Sequence, residues 1–220
     1  MPPESQTYQY LTQPEIRFLD AAVERLIPAD DLGPGAKDAG VTCFIDQQLV
    51  SVWGSHGRNY RAGPWPEGTP QQGFQSRLTP REIYRAAIRE VNVHCLEQYR
   101  KAFEFLAPLE QDEVLKGLQS GTIELASVSS KRFFGLLLRN TMEGFFADPM
   151  YGGNRDKSGW KLIGFPGVPA SNYNDLIDEH NVPYRVEPVS ILDVLHERVK
   201  LDSQGLPKHV RLKDEGRNGR

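Results

Sequence analysis

The sequence predicts an all-α protein: an irregular helical bundle with two long aromatic and glycine-rich loops and an extended C-terminal arm. Three observations predict this fold class. Apolar residues recur every three or four positions in several segments, which places them on one face of a helix. Glycine and proline, 20 and 16 residues of the chain, punctuate the segments 54–78 and 148–167 and prevent any long element there. Beyond residue 181 the pattern is mostly extended or irregular, so we expect a helical domain over 1–180 and an arm over 181–220 with a disordered end.

Helical spacing and capping residues place the first three helices. The first is predicted to begin at Thr12 or Gln13 and to end at Pro28, because proline cannot continue a helix. The second is predicted over about 38–52. The third is predicted over about 79–106, because a threonine cap, a proline at the first helical position and a glutamate at the third form a favourable start.

A buried helix forms the second half of the predicted bundle. It begins at Ser129 or Ser130, carries a wide apolar arc, and ends at Asp148, because the residue before a proline is pushed out of the helical region. The remaining short elements are predicted at 110–118 as a helix, at 172–179 as a helix, and at 189–200 as a strand or a helix.

Composition excludes several classes of function. At 220 residues the chain is long enough to bury its own core. A net charge of −3 gives no electrostatic attraction to nucleic acid, and no apolar run approaches the ~20 residues of a membrane helix. The start, MPPESQTYQY, has neither a charged nor an apolar region and so does not read as a signal peptide.

The two cysteines, Cys43 and Cys95, each lie in a predicted helix. They are too few for a zinc site of the finger type. Two interpretations remain open: a pair of buried thiols, or one disulfide between two helices in an oxidising compartment.

The sequence contains no recognised motif of a catalytic or cofactor-binding site. Glu90 and His94 share a helix face, but two ligands do not hold a metal, and a salt bridge is the simpler explanation. Asp148 and Asp156 flank the glycine-rich loop, where capping and turn formation account for aspartate. We therefore predict that this chain has no catalytic, cofactor-binding or metal site of its own.

The second loop, 148–167, and the end of the helix before it are similar in sequence to a known protein family. EGFFADPMYGGN followed by GWKLIGFPG resembles the signature of the gluconate 2-dehydrogenase subunit 3 family. FLDAAVERLIPADDLGPGAKDAGV resembles the start of that family, and RAGPWPEGTPQQGFQSRLTPREIYR resembles its gluconate-oxidising branch. Together these segments cover roughly 15–170.

The resemblance implies a small, non-catalytic subunit that stabilises an FAD-containing large dehydrogenase subunit and helps its maturation and export. That large subunit would oxidise gluconate to 2-ketogluconate, and it can also bear an iron–sulfur cluster. A multihaem cytochrome c subunit, with haem c, would pass electrons to quinone. The implied location is the periplasm, on the inner membrane through the complex; either the mature form begins at residue 1 or export is arranged otherwise.

Aromatic residues and glycines of both loops are the candidates for the partner interface, since aromatic side chains are enriched in interface cores. The predicted interface residues are Tyr60, Trp65, Phe145, Phe146, Asp148, Pro149, Tyr151, Gly152, Gly153, Asn154, Trp160 and Phe165. The alternative is a free-standing helical ligand-binding or enzymatic domain with a pocket under the 148–167 loop.

Overall fold

The computed structural model describes residues 7–57, 62–66, 68–69, 71, 76–168, 184–201, 203, 205–210 and 212. The helices are α1 (Gln13–Leu26), α2 (Val41–Val50), α3 (Pro80–Tyr99), α4 (Pro108–Ser120), α5 (Ser130–Phe146), α6 (Ser158–Ile163) and α7 (Ile191–Leu195). Short 3₁₀ turns lie at Phe103–Phe105, Pro149–Tyr151 and Arg155–Lys157. The described residues contain no β-strand, only isolated bridges, and the predicted all-α class is confirmed.

Helix α5 lies at the centre of the bundle and contacts α1, α2, α3 and α4. Its Phe133 packs edge-on against Tyr84 of α3, with ring centroids 5.6 Å apart, and lies 6.5 Å from Phe18 of α1. Phe18 in turn packs against Phe103 at 4.7 Å. All four side chains are fully buried, so the aromatic core joins three helices and the 103–105 turn.

The predicted helix starts are confirmed where capping chemistry marked them. At α3 the Thr79 hydroxyl donates to the Glu82 carboxylate at 2.7 Å, and the Glu82 backbone N–H donates back to that hydroxyl at 3.3 Å. At α5 the Ser129 hydroxyl accepts from the backbone N–H of Arg132 at 3.4 Å. The contacts donated by the Glu82 and Arg132 N–H groups each satisfy a backbone donor that the first turn would leave open.

The predicted end of α3 was wrong. The helix ends at Tyr99, where Arg100 adopts a left-handed conformation with φ 61°, well before the predicted Leu106. The backbone N–H of Phe103 then donates to the Asn92 side chain at 3.0 Å. This contact folds the chain back beside the helix and brings Phe103 into the core.

Other boundaries differ modestly. Helix α2 begins after Gly40, which takes φ 78°, and α4 is longer than predicted at both ends. Of the two forms considered for 189–200, the structure has a short helix, α7. The predicted helix at 172–179 and the predicted disordered end lie outside the described residues.

The N-terminal segment is held to α2 by one fully buried carboxylate, that of Asp46. It accepts hydrogen bonds from the backbone N–H groups of Gln9, Tyr10 and Leu11 at 2.7, 3.0 and 2.8 Å. Three consecutive donors converging on one side chain fix the path of the chain into α1.

Both cysteines are buried and free, so the disulfide alternative is corrected in favour of two buried thiols. Burial, with a smaller contribution from nearby Glu104, raises the pKa of Cys95 to about 12. A thiol in this state is a poor nucleophile, because the thiolate is the reactive form. Cys95 therefore acts as a core residue.

None of the described helices combines the length and the hydrophobicity that a membrane-spanning helix needs.

Candidate docking loop at the end of the central helix

The aromatic loop, defined as residues 147–168, begins where α5 ends. Ala147 is extended, with φ −65° and ψ 163°, and no glycine is present there to cap the helix. The carbonyl of Phe146 instead accepts from Trp160 Nε1 at 2.7 Å, and the carbonyl of Ala147 accepts from Asn154 Nδ2 at 2.8 Å. Two downstream side chains thus satisfy carbonyls at the end of α5 that have no partner within the helix.

Asn154 organises the middle of the loop. It is fully buried and takes φ 48°, a left-handed conformation that asparagine tolerates better than most residues. Its Oδ1 accepts from the backbone N–H of Gly159 at 2.8 Å, while its Nδ2 binds Ala147. One side chain therefore ties the end of α5 to the first turn of α6.

Gly153 and Gly159 lie where the loop crosses the backbone of α5. A Cβ at Gly153 would overlap the carbonyl oxygen of Gly144, and a Cβ at Gly159 would overlap that of Phe145. Glycine is required at both positions because backbone approaches backbone.

Replacing Gly153 with alanine is expected to destabilise the fold by about 1–3 kcal/mol, the usual cost of forcing an extra methyl group into a packed site. Urea unfolding followed by circular dichroism measures the change. Gly135→Ala in α5 is the matched control, because its Cβ would meet open space and alanine favours a helix. A Gly153→Ala protein as stable as Gly135→Ala would contradict the close crossing.

The structure divides the predicted interface residues by exposure. Tyr151 and Phe165 are 47% and 42% exposed. The half-buried residues are Trp65, Phe146, Asp148, Pro149 and Gly152. The buried residues are Phe145, Gly153, Asn154 and Trp160. Tyr60 lies outside the described residues.

The buried group leaves little of its surface open on this chain, and its direct contact with a partner stays a prediction. Trp160 is only 5% exposed, because its ring packs under the loop and its N–H caps α5. Phe145 points inward from α5, and Gly153 and Asn154 fit against the helix end. Gly153, Asn154 and Trp160 form the inner side of the loop, and Phe145 lies beneath it in α5. The exposed residues form the outer surface of the loop.

Sequence reasoning missed part of that outer surface because it treated 148–167 as irregular. The loop contains α6 and two 3₁₀ turns, which present Met150, Leu162 and Ile163 to solvent. The signal available was the group of apolar residues Trp160, Leu162 and Ile163, which is short enough to form a single helical turn. Phe165 packs edge-on against Trp160 with ring centroids 5.1 Å apart, so the buried tryptophan supports the exposed phenylalanine.

The described start of the arm, residues 184–195, packs against the aromatic loop of this same chain. The backbones of Val168 and Val189 pair through a hydrogen bond of 2.8 Å, from the Val168 N–H to the Val189 carbonyl. Lys157 Nζ lies 3.0 Å from the Asp193 carboxylate, and Lys161 Nζ lies 3.0 Å from that of Glu187. The loop is therefore braced from outside by the arm and from inside by α5.

Asp193 is held as a carboxylate in this brace. Burial alone would raise the pKa of Asp193, but hydrogen bonds from Ser190 and Lys157 hold the pKa below its ordinary value. A carboxyl whose pKa is lowered in the folded state contributes its full stabilisation at pH values above its ordinary pKa. That stabilisation is lost as the pH falls through the lowered pKa. The brace is therefore complete at neutral pH.

Two clefts among the described residues lie away from the loop. One of about 420 Å³ is lined by residues of 76–83 and 127–132, and another of about 370 Å³ lies between α1 and the start of α4. Under the loop, the side chains of Asn154 and Trp160 are buried. Within the described ranges, no three His, Cys, Asp or Glu residues are grouped to hold a metal ion.

A protein-family model described as gluconate 2-dehydrogenase subunit 3 matches residues 13–167. The match begins with the first residue of α1, includes the aromatic loop almost to its end, and excludes the arm. No curated protein and no solved structure matches the chain.

Proposed function

This chain belongs to the gluconate 2-dehydrogenase subunit 3 family, and from that premise we propose that it is a non-catalytic subunit whose aromatic loop binds the FAD-containing large subunit. The large subunit would carry out the oxidation of gluconate to 2-ketogluconate. This chain would contribute a preformed binding surface and no reacting group.

The observation that carries the proposal is the exposed apolar surface on a rigid support. Four apolar side chains of the loop face solvent, those of Met150, Tyr151, Ile163 and Phe165. The loop beneath them is fixed to α5 by Trp160 and Asn154. Exposed aromatic groups on an ordered scaffold suit protein binding, because little conformational freedom is lost on association. The half-buried Trp65 belongs to a second, smaller patch in the same proposal.

The wider assembly follows from the same proposal. The large subunit would hold FAD and can hold an iron–sulfur cluster, and a multihaem cytochrome c subunit would accept the electrons and pass them to quinone. We place the complex in the periplasm at the inner membrane. By covering an apolar surface of the large subunit, this chain would stabilise it during maturation and export.

Tyr151→Ala is expected to weaken binding to the large subunit by roughly 30-fold, which corresponds to about 2 kcal/mol at an aromatic interface anchor. The test co-expresses tagged variants with the flavoprotein subunit and measures the recovered flavin per tagged chain and the dissociation constant. Leu109→Ala is the control, because Leu109 is 77% exposed on α4, outside the loop.

The result expected is loss of flavin with Tyr151→Ala and full recovery with Leu109→Ala. A wild-type chain that recovers no flavoprotein would overturn the proposed function. Equal recovery by both variants would remove the aromatic loop from the interface.

A further inference from the structure

The cleft of about 420 Å³ beside the start of α5 has positively charged and hydroxyl groups in its lining. Its polar lining residues are two arginines and three serines, and none of its described lining residues is acidic. The chain as a whole carries a net charge of −3, so this combination is a local exception. We call this site the basic cleft, with the polar residues Ser76, Arg77, Ser127, Ser129 and Arg132.

Both walls of the basic cleft are fixed to α3. On one wall, the Ser76 hydroxyl accepts from the backbone N–H of Leu78 at 3.1 Å, and the chain runs directly into the Thr79 cap of α3. On the other wall, the backbone N–H of Ser127 donates to the carboxylate of Glu90 on α3 at 3.0 Å. The cleft is therefore formed before a ligand arrives, which lowers the entropic cost of binding.

The two arginines differ in their exposure to solvent. Arg77 is exposed, whereas Arg132 is half-buried, and this burial lowers the pKa of Arg132 below its ordinary value. A partly buried cation attracts an anion more strongly than a cation in bulk water does, because the local dielectric constant is lower. Each guanidinium has several N–H donors, so both arginines can bind an anion and keep their contacts within the chain.

An apolar floor lies beside these charges. Ile83 is only 1% exposed, and the partly buried Leu78 and Val128 pack against the core. All three residues line the cleft, whose volume of about 420 Å³ lies in the usual range of small-molecule sites. The lining therefore suits a ligand that joins an anionic group to an apolar body.

We propose that the basic cleft binds a small, soluble phosphate monoester with an apolar body. A phosphate group presents three strong acceptor oxygens, which match two guanidinium groups and three hydroxyls better than a carboxylate does. Arg77 and Arg132 hold the phosphate, and the apolar body lies against Leu78, Ile83 and Val128. The cleft is separate from the aromatic loop, so this inference does not rest on the proposed function.

The test titrates the full-length chain with phenyl phosphate and with benzoate in a calorimeter. The two probes share an aromatic ring and differ in the anionic group. Vesicles with and without phosphatidic acid form a third arm, because a lipid is the other source of a phosphate monoester. The variants are Arg77→Gln and Arg132→Gln. Arg139→Gln is the matched control, because Arg139 is exposed on α5 and does not line the cleft. Unchanged thermal unfolding of a variant shows that its loss of binding comes from the cleft.

We expect the wild-type chain to bind phenyl phosphate at least about tenfold more tightly than benzoate, because a phosphate accepts more of the hydrogen bonds on offer. Each cleft variant should bind phenyl phosphate at least about tenfold more weakly than the wild type, since a charged hydrogen bond is lost. Arg139→Gln should bind like the wild type.

Three results would overturn the inference. The first is a wild-type chain that binds no phenyl phosphate, or binding that Arg139→Gln weakens as much as the cleft variants do. The second is equal affinity for benzoate, which would remove the preference for phosphate. The third is binding to phosphatidic acid vesicles without binding of phenyl phosphate, which would assign the cleft to a lipid. Each of these results leaves the proposed function standing.

Discussion

Replacing Trp160 with alanine is expected to lower the free energy of unfolding by about 3–5 kcal/mol, the usual cost of deleting a large buried aromatic side chain. Two losses combine here. The cavity removes the support of Phe165, whose ring lies 5.1 Å from that of Trp160. The Phe146 carbonyl also loses its 2.7 Å donor. Urea denaturation followed by near- and far-ultraviolet circular dichroism measures the change.

Two further variants separate these effects. Trp160→Phe keeps most of the packing and removes only the donor, so we expect a loss of about 1–2 kcal/mol. Trp53→Ala removes a tryptophan that is exposed, and surface substitutions usually stay within about 0.5 kcal/mol. If Trp160→Ala were as stable as Trp53→Ala, the loop would not belong to the cooperative core.

Replacing Asp46 with alanine is expected to cost on the order of 3 kcal/mol, because hydrogen bonds to a charged group contribute about 1.5–3 kcal/mol each and three bonds to one group are not additive. The variant leaves the N–H groups of Gln9, Tyr10 and Leu11 without their acceptor. Thermal unfolding measures the loss, and hydrogen exchange of those three amides locates it.

The graded control for this site is Asp46→Asn, which keeps one acceptor oxygen and should lose about half as much. Asp31→Ala removes an exposed aspartate and should leave stability unchanged. Rapid exchange at Gln9, Tyr10 and Leu11 in the wild-type protein would contradict the anchoring role of Asp46.

The sequence predicted those parts of the fold that depend on local chemistry. The starts of α3 and α5 follow from a threonine or serine cap, and such caps act over three residues. The end of α3 depends instead on a contact between Asn92 and Phe103. Arg100 takes a left-handed conformation, although arginine is not a residue type that indicates the end of a helix. The prediction from helical periodicity therefore made α3 too long.

The glycine-rich loop after α5 was located in the sequence, and its role as an interface stays a prediction. Its buried and its exposed residues could not be distinguished from the sequence alone. Tyr151 and Trp160 are both aromatic residues beside glycines, and both were predicted at the interface. Trp160 is buried because its side chain, like that of Asn154, donates a hydrogen bond to a carbonyl at the end of α5, whereas the side chain of Tyr151 is exposed. Hydrogen bonds of this kind leave no periodic pattern in the sequence. The position of α7 was equally hidden, because its contacts with Asp148 and Lys157 join distant segments.

The way α5 ends has a consequence for synthesis on the ribosome. The chain leaves the exit tunnel from its N-terminus, so Phe146 and Ala147 emerge before the two side chains that bind their carbonyls. Until Asn154 and Trp160 follow, only water can serve as the donor to those two carbonyls. The last turn of the central helix therefore receives its side-chain caps from residues that are translated after it.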